Sequence, residues 1–159
     1  MNLFGVMEVS GSALQAERIR AEVVAANMAN AETTRTADGG PYRRQHVVFT
    51  SEAQEPGFAS QMMAQSGSGG AGQMGGAGPM GAAIGGVQVS AVVADQGEPL
   101  KRFDPGHPDA DKDGYVAYPD INPLTEMVDL MGATRAYGLN SSAVQAEKGM
   151  VAASLDIMK

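Results

Sequence analysis

Two long segments with helical apolar periodicity bracket this sequence, one from about Leu3 to Ala31 and the other from about Pro123 to Met158. Little between them carries a comparable pattern. A lone globular domain rarely places its two best helices at its extremities, where fraying is worst, whereas a subunit that assembles through those segments does so by design. In the first segment Met7, Leu14, Ala21 and Met28 recur every seven residues, and Val9, Ala16 and Val23 form a second row. The apolar surface is therefore wider than one seam. In the last segment Asn122 suits an N-cap and Pro123 the first helical position. Leu130, Tyr137, Val144, Val151 and Met158 then repeat at sevens, the seam pattern of a coiled coil. Gly132, Gly138 and Gly149 interrupt this helix, each costing roughly 1 kcal/mol against alanine, so the segment is expected to need a partner.

Composition supports the same view. Ten of the 21 glycines lie between Gly67 and Gly86, aromatic residues make up only 5% of the chain, and Trp is absent. With few large side chains there is little apolar area to bury, and oligomerisation is a standard remedy. A net charge of −7, with no Lys or Arg between Gln45 and Leu100, excludes a nucleic-acid binder and disfavours anionic membrane surfaces. The pair Arg43-Arg44 is too small a cluster to track a phosphate backbone. Cysteine is absent, which removes disulfides, thiolate metal sites and cysteine nucleophiles. No stretch reaches the ~20 apolar residues of a membrane span, so no direct membrane insertion is expected. The first residues lack the basic and apolar regions of a Sec signal peptide.

The chain thus divides into an N-terminal helix over 1–34, a β-rich middle over 35–122 and a C-terminal helix over 123–159. The expected class is α+β, mainly α, with the terminal helices paired as an antiparallel coiled coil. In the middle, Tyr42–Thr50, Val87–Val93 and Tyr115–Tyr118 read as strands of one small twisted sheet. The Gly/Ser/Met-rich tract at about 60–86 reads as a flexible loop. The residues Asp109, Asp111, Asp113, Gly114 and Asp120 match part of an EF-hand calcium loop. Position twelve is Asp instead of Glu, however, and Pro105, Gly106, Pro108 and Pro119 forbid flanking helices. An Asx-rich turn is the favoured reading, with a calcium-binding module over Asp109–Asp120 as the alternative. His46 and His107 have no nucleophile or acid partner in a recognisable arrangement. No enzyme, cofactor or metal site is expected.

Asn27 and Asn30 sit three residues apart on one helical face, in an Ala/Met-rich stretch. The pair reads either as a helix terminator, with Asn30 near the C-cap, or as a buried hydrogen-bonding handle that fixes register. The segments Ser12-Ala13-Leu14-Gln15-Ala16 and Val23-Val24-Ala25-Ala26-Asn27-Met28-Ala29-Asn30-Ala31-Glu32-Thr33 resemble the N-terminal signature of bacterial flagellar rod and hook proteins. Further along come Asp104-Pro105-Gly106-His107-Pro108-Asp109-Ala110-Asp111, Asp113-Gly114-Tyr115-Val116 and Pro119. With Glu126-Met127-Val128-Asp129-Leu130-Met131 and Arg135-Ala136-Tyr137, these residues are similar to the proximal-rod members of that family. Gly138-Leu139 and Asp120 depart from its pattern, and the glycine tract looks like an insertion.

The resemblance implies a structural subunit of the basal-body rod, a helical axial tube that transmits torque across the periplasm, with another axial rod or hook-junction protein as the alternative. It also implies export through the flagellar type III apparatus. The implied partners are further copies, other rod proteins, basal-body proteins next to the export gate, and the export apparatus itself. Leu14, Val23, Asn27, Asn30, Leu130, Tyr137, Val144 and Val151 are the expected packing residues.

Overall fold

The computed structural model describes residues 3–37, 39–51 and 85–157. Most of the glycine-rich tract and the seam residue Met158 therefore lie outside the described residues. The first helix, α1, spans Leu3–Ala29, and the second, α2, spans Pro123–Ile157. At 1.5 Å per residue they are roughly 40 and 52 Å long. The start of α2 is capped as its sequence requires: Leu124 N–H donates to Asn122 Oδ1 at 3.0 Å, and Glu126 N–H donates to the Asn122 carbonyl at 3.1 Å. Glu126 also places an acid in the first turn, where the helix dipole favours it.

The two helices make the largest contact in the chain. Asn27 Nδ2 lies 3.1 Å from Glu126 Oε2, and Arg20 reaches Asp129 at 3.5 Å. Stepping back along α1 thus means stepping forward along α2, so the helices run in opposite directions. Small and polar side chains meet at the contact. The chain buries Ser10, Ala16, Val24 and Asn27 on α1, and Glu126, Ala133 and Glu147 on α2.

The buried positions of α2 are spaced by multiples of seven, but they do not belong to the row that the apolar repeat picks out. Of that row, Leu130, Val144 and Val151 are half-buried and Tyr137 is exposed. Likewise Leu14 and Val23 of α1 are half-buried beside the contact line. The physical reason is steric. Alanine and serine allow close backbone approach, and the larger residues are left to flank the contact.

Among the described residues the middle region forms two separate two-stranded antiparallel sheets instead of the single sheet expected. In the first, β1 (Gln45–Ser51) pairs with β2 (Val87–Ala94). Gln45 faces Ala94 and Val48 faces Ala91; then Phe49 faces Val89, which leaves Ser90 as an extra bulged residue. Ser90 Oγ donates to the Val48 carbonyl at 3.1 Å. The beginning of β2 is tied to α1, because Val87 N–H donates to Ser12 Oγ at 3.1 Å.

In the second sheet β3 (Leu100–Phe103) pairs with β4 (Tyr115–Tyr118). Sequence periodicity does not show β3, because all four of its residues are exposed and lack an apolar alternation. The aspartate-rich segment is the turn of this hairpin. Asp104 N–H donates to the Gly114 carbonyl, and Asp111 N–H donates to the Tyr115 carbonyl at 2.8 Å. Val116 of β4, with Ile121 just beyond it, completes a core whose other apolar members are Ala16, Val24 and Ala133.

Gly114 is dictated by this turn. Its φ is +78°, in the left-handed region, and a Cβ there would sit 2.9 Å from the Phe103 ring. Gly114→Ala is expected to destabilise the fold by about 1–3 kcal/mol. Urea denaturation followed by circular dichroism measures this; an unchanged midpoint would contradict the geometry.

Candidate functional site: a polar node and the helix faces around it

Among the described residues Asn27 is the most connected side chain. It lies in the last turns of α1, is 1% exposed, and faces the start of β1. Its Oδ1 accepts from Gln45 N–H at 2.9 Å, and its Nδ2 donates to the Gln45 carbonyl at 2.9 Å. The amide therefore pairs with Gln45 as a neighbouring strand would, on the edge of β1 away from β2. Nδ2 also reaches Glu126 Oε2, and Tyr42 O–H donates to Asn27 Oδ1 at 3.2 Å.

Glu126 is equally enclosed, at 1% exposure. Its second oxygen accepts from Arg44 Nε at 2.6 Å, and Arg44 Nη2 adds to the same oxygen. Asp129 lies 3.8 Å from Arg44 and 3.5 Å from Arg20. A buried carboxylate is tolerated when its oxygens are matched in this way. Helix α1, strand β1 and helix α2 converge on one hydrogen-bonded cluster.

Asn30 has a different task. Its Nδ2 bonds back to the Ala26 carbonyl at 2.9 Å, and its Oδ1 accepts from Thr33 Oγ1 at 3.1 Å. The two readings of the asparagine pair thus divide between its members: Asn30 terminates the helix and Asn27 is the buried handle. That handle fixes a helix against a strand and against a second helix within one chain. Sequence reasoning missed Tyr42, Arg44 and Glu126. The available signal was Glu126 itself, an acid inside the apolar run Leu124–Leu130 and seven residues before Ala133.

The hairpin turn is docked onto the chain that leaves α1. Thr34 Oγ1 donates to Asp109 Oδ2 at 2.9 Å, and Arg35 lies 3.6 Å from Oδ1. Asp109 N–H donates to His107 Nδ1, and the His107 ring packs edge-on against Tyr118. Phe103 packs edge-on against Tyr115, and Pro119 is buried. Gly106 N–H donates to Asp104 Oδ1, and Lys112 N–H donates to Asp111 Oδ1. The Asp carboxylates serve the turn and the Thr34–Arg35 contact, so nothing in the loop supports the calcium alternative. Among the described residues no three His, Asp or Glu side chains converge as metal ligands. Pro105 lies under Gly114, whereas Pro108 and Asp113 are exposed.

Outside the node, α2 leaves large apolar side chains open to solvent. Leu124, Val128, Met131 and Leu139 on α2 are all more than 60% exposed. Among the described residues no helix is long and apolar enough to cross a membrane.

Two family models match the chain at its ends: "Flagella basal body rod protein" over residues 7–35, and "Flagellar basal body rod FlgEFG protein C-terminal" over residues 112–157. The flagellar basal-body rod protein FlgC of Bacillus subtilis strain 168 is 40% identical, with all of both chains aligned. FlgC of Borreliella burgdorferi is 37% identical over this whole chain and 99% of its own length. FlgC of Salmonella typhimurium is 33% identical over 99% of this chain and 98% of its own. The chain belongs to the FlgC family of flagellar basal-body rod proteins. The first matched segment carries Asn27 and the second carries Glu126, so the two buried partners lie one in each matched segment.

Removing one member of the node strands the others. Arg44→Met alone leaves Glu126 buried without its cation and is expected to cost about 3–5 kcal/mol. Arg44→Met combined with Glu126→Leu is expected to cost less than that single change, which a double-mutant cycle in urea would test. Full additivity would show that the pair is not coupled. The node also sets an alkaline limit. Burial, and then the Glu126 carboxylate, raise the Tyr42 pKa above 10, so the folded chain holds that proton more tightly than the unfolded chain does. The Tyr42 contribution is therefore expected to be constant from pH 8 to ~10, and stability is expected to fall above it. The fall should be shallower in Tyr42→Phe, as read by denaturation midpoints from pH 8 to 11.

Proposed function

We propose that this chain is a structural subunit of the bacterial flagellar basal-body rod and builds it through its two long helices. Membership of the FlgC family and the exposed apolar surface of α2 support this reading. The observation that carries it is the mismatch between inside and outside. The contact between α1 and α2 is lined with Ala, Ser, Val24 and buried polar groups, while Leu124, Met127, Val128, Met131 and Leu139 of α2 face outward. A subunit of this kind is completed by its neighbours.

In the assembled rod α1 and α2 pair as an antiparallel coiled coil. Leu14, Val23, Leu130, Tyr137, Val144 and Val151 flank the pair and pack on adjacent subunits, Asn27 holds the register from within, and Asn30 ends α1 beside it. Heterologous contacts that do not close generate a helical tube. Its partners are copies of itself, other rod proteins and basal-body proteins next to the export gate. Delivery to the periplasm runs through the flagellar type III export apparatus.

Each apolar side chain that packs fully is worth roughly 1.5–3 kcal/mol. Leu130→Asp with Val144→Asp is therefore expected to abolish swimming and to remove the protein from purified basal bodies, while the isolated subunit keeps its helical spectrum. Normal swimming by cells that carry only this double variant would refute the assignment of that row.

A further inference from the structure

We propose that in the assembled rod the β1–β2 hairpins of successive copies join edge to edge, the outer edge of β1 in one copy pairing with the outer edge of β2 in the next. The proposal rests on the rod reading and names a contact between copies that the helices do not make.

Main-chain direction identifies the two edges. In an antiparallel pair the N–H and C=O of every second residue point away from the partner strand. Gln45 gives both of its groups to Asn27, so those of Val47 and Phe49, two and four residues on, also point away from β2. Ala94 faces Gln45 and Val92 faces Val47, so their groups point outward from the opposite edge. The inward set is marked by Asp95 N–H, which donates to the Arg44 carbonyl at 2.7 Å. Helix α1 caps only the first residue of each strand: Asn27 takes Gln45, and Ser12 takes Val87. Among the described residues nothing caps Val47, Phe49, Val92 or Ala94 on those outer edges.

Folded proteins usually guard an open strand edge with charge or proline. The smaller sheet follows that rule, since β3 carries Lys101 and Arg102. The larger sheet does not. Strand β2 has neither a charged residue nor a proline, and β1 offers only His46. The bulge at Ser90 leaves Ala91–Ala94 regular. Beside β1 a groove of about 380 Å³ opens, lined by Val23 and Val24 of α1, Val47 and Phe49 of β1, and Asp129 of α2. The charges in it, Arg20 and Arg44 against Glu126 and Asp129, are already paired with one another. Such a groove suits an uncharged strand, and β2 of a second copy is one, with Val92 45% and Val93 48% exposed.

Two hairpins in the same orientation set β2 of one copy antiparallel to β1 of the other. With Val47 opposite Ala94 and Phe49 opposite Val92, each pair exchanges both of its hydrogen bonds, and Gln45 keeps Asn27. The contact uses a different surface on each copy, so it does not close and adds copies in a row.

Proline reads these edges directly. At Val47 or Val92 the N–H it removes belongs to the outer edge and not to the ladder between β1 and β2. Val47→Pro and, separately, Val92→Pro are expected to lower the amount of the protein in purified basal bodies roughly tenfold or more. Val47→Ala and Val92→Ala keep the N–H and are expected to assemble. The chain has no cysteine of its own. Cells that express Val47→Cys and Ala94→Cys chains together are therefore expected to yield a disulfide-linked dimer in oxidised basal bodies, because residues paired in this way lie about 5.5 Å apart at Cα. Cells with either chain alone are not. Normal assembly of both proline variants overturns the pairing. Failure of the mixed chains to cross-link overturns it too, and decides the case where proline disturbs the hairpin itself. A dimer from Val47→Cys alone overturns the head-to-tail order. Wild-type protein found in basal bodies, with no cross-link in the mixture, sinks the pairing alone; its absence from them sinks the rod reading.

Discussion

A carboxylate withdrawn almost completely from water has to be matched on both oxygens, and in this protein that requirement organises the fold. Glu126 takes Arg44 on one oxygen and Asn27 on the other, while Asn27 pairs with the edge of β1. None of the three elements can shift by a residue without leaving a buried polar group unpaired. The cluster therefore sets a unique register where apolar packing alone would not. Alanine against alanine slides easily; a buried ion pair with amide support does not.

The thin apolar core follows from the same arrangement. Ala16, Val24, Val116, Ile121 and Ala133 are small, and they leave most of the large apolar side chains outside. In a self-sufficient domain this would be a defect. The assembly proposed above would separate two tasks along one helix: the small and polar row specifies the internal partner, and the larger residues would be kept for contacts between molecules. Surface ion pairs such as Arg18–Glu22, worth about 0–1 kcal/mol, add little to either.

How much of this was legible in the sequence depends on how local the cause is. The ends of α2 were readable because Asn122 and Pro123 act on their own first turn, and the strand at Tyr115–Tyr118 because its residues suit one. The strand Leu100–Phe103 was hidden because it exists only through pairing with β4 and buries nothing of its own. The division into two sheets was hidden for a similar reason, since strand partners are chosen across the chain. The seam Leu130–Tyr137–Val144–Val151 was visible as a repeat, but periodicity does not say whether a row faces inward or outward. Asn27 could be singled out because an amide in an Ala/Met helix is unusual. Arg44 could not, because half of a buried ion pair looks like any surface charge until its partner is known.

The pairing of β1 with β2 has one more consequence. Ser51 lies directly opposite Val87, and Val87 is itself anchored on Ser12. The two points where residues 52–84 leave and rejoin the sheet are therefore held only about 5 Å apart. When the exits of a connection are fixed by other contacts, doubling its length costs only about 0.6 kcal/mol in closure entropy. Evolution can lengthen, shorten or rewrite that stretch while the helices and the node stay as they are. A foreign epitope grafted between residues 52 and 84 is thus expected to leave the helices and the node intact.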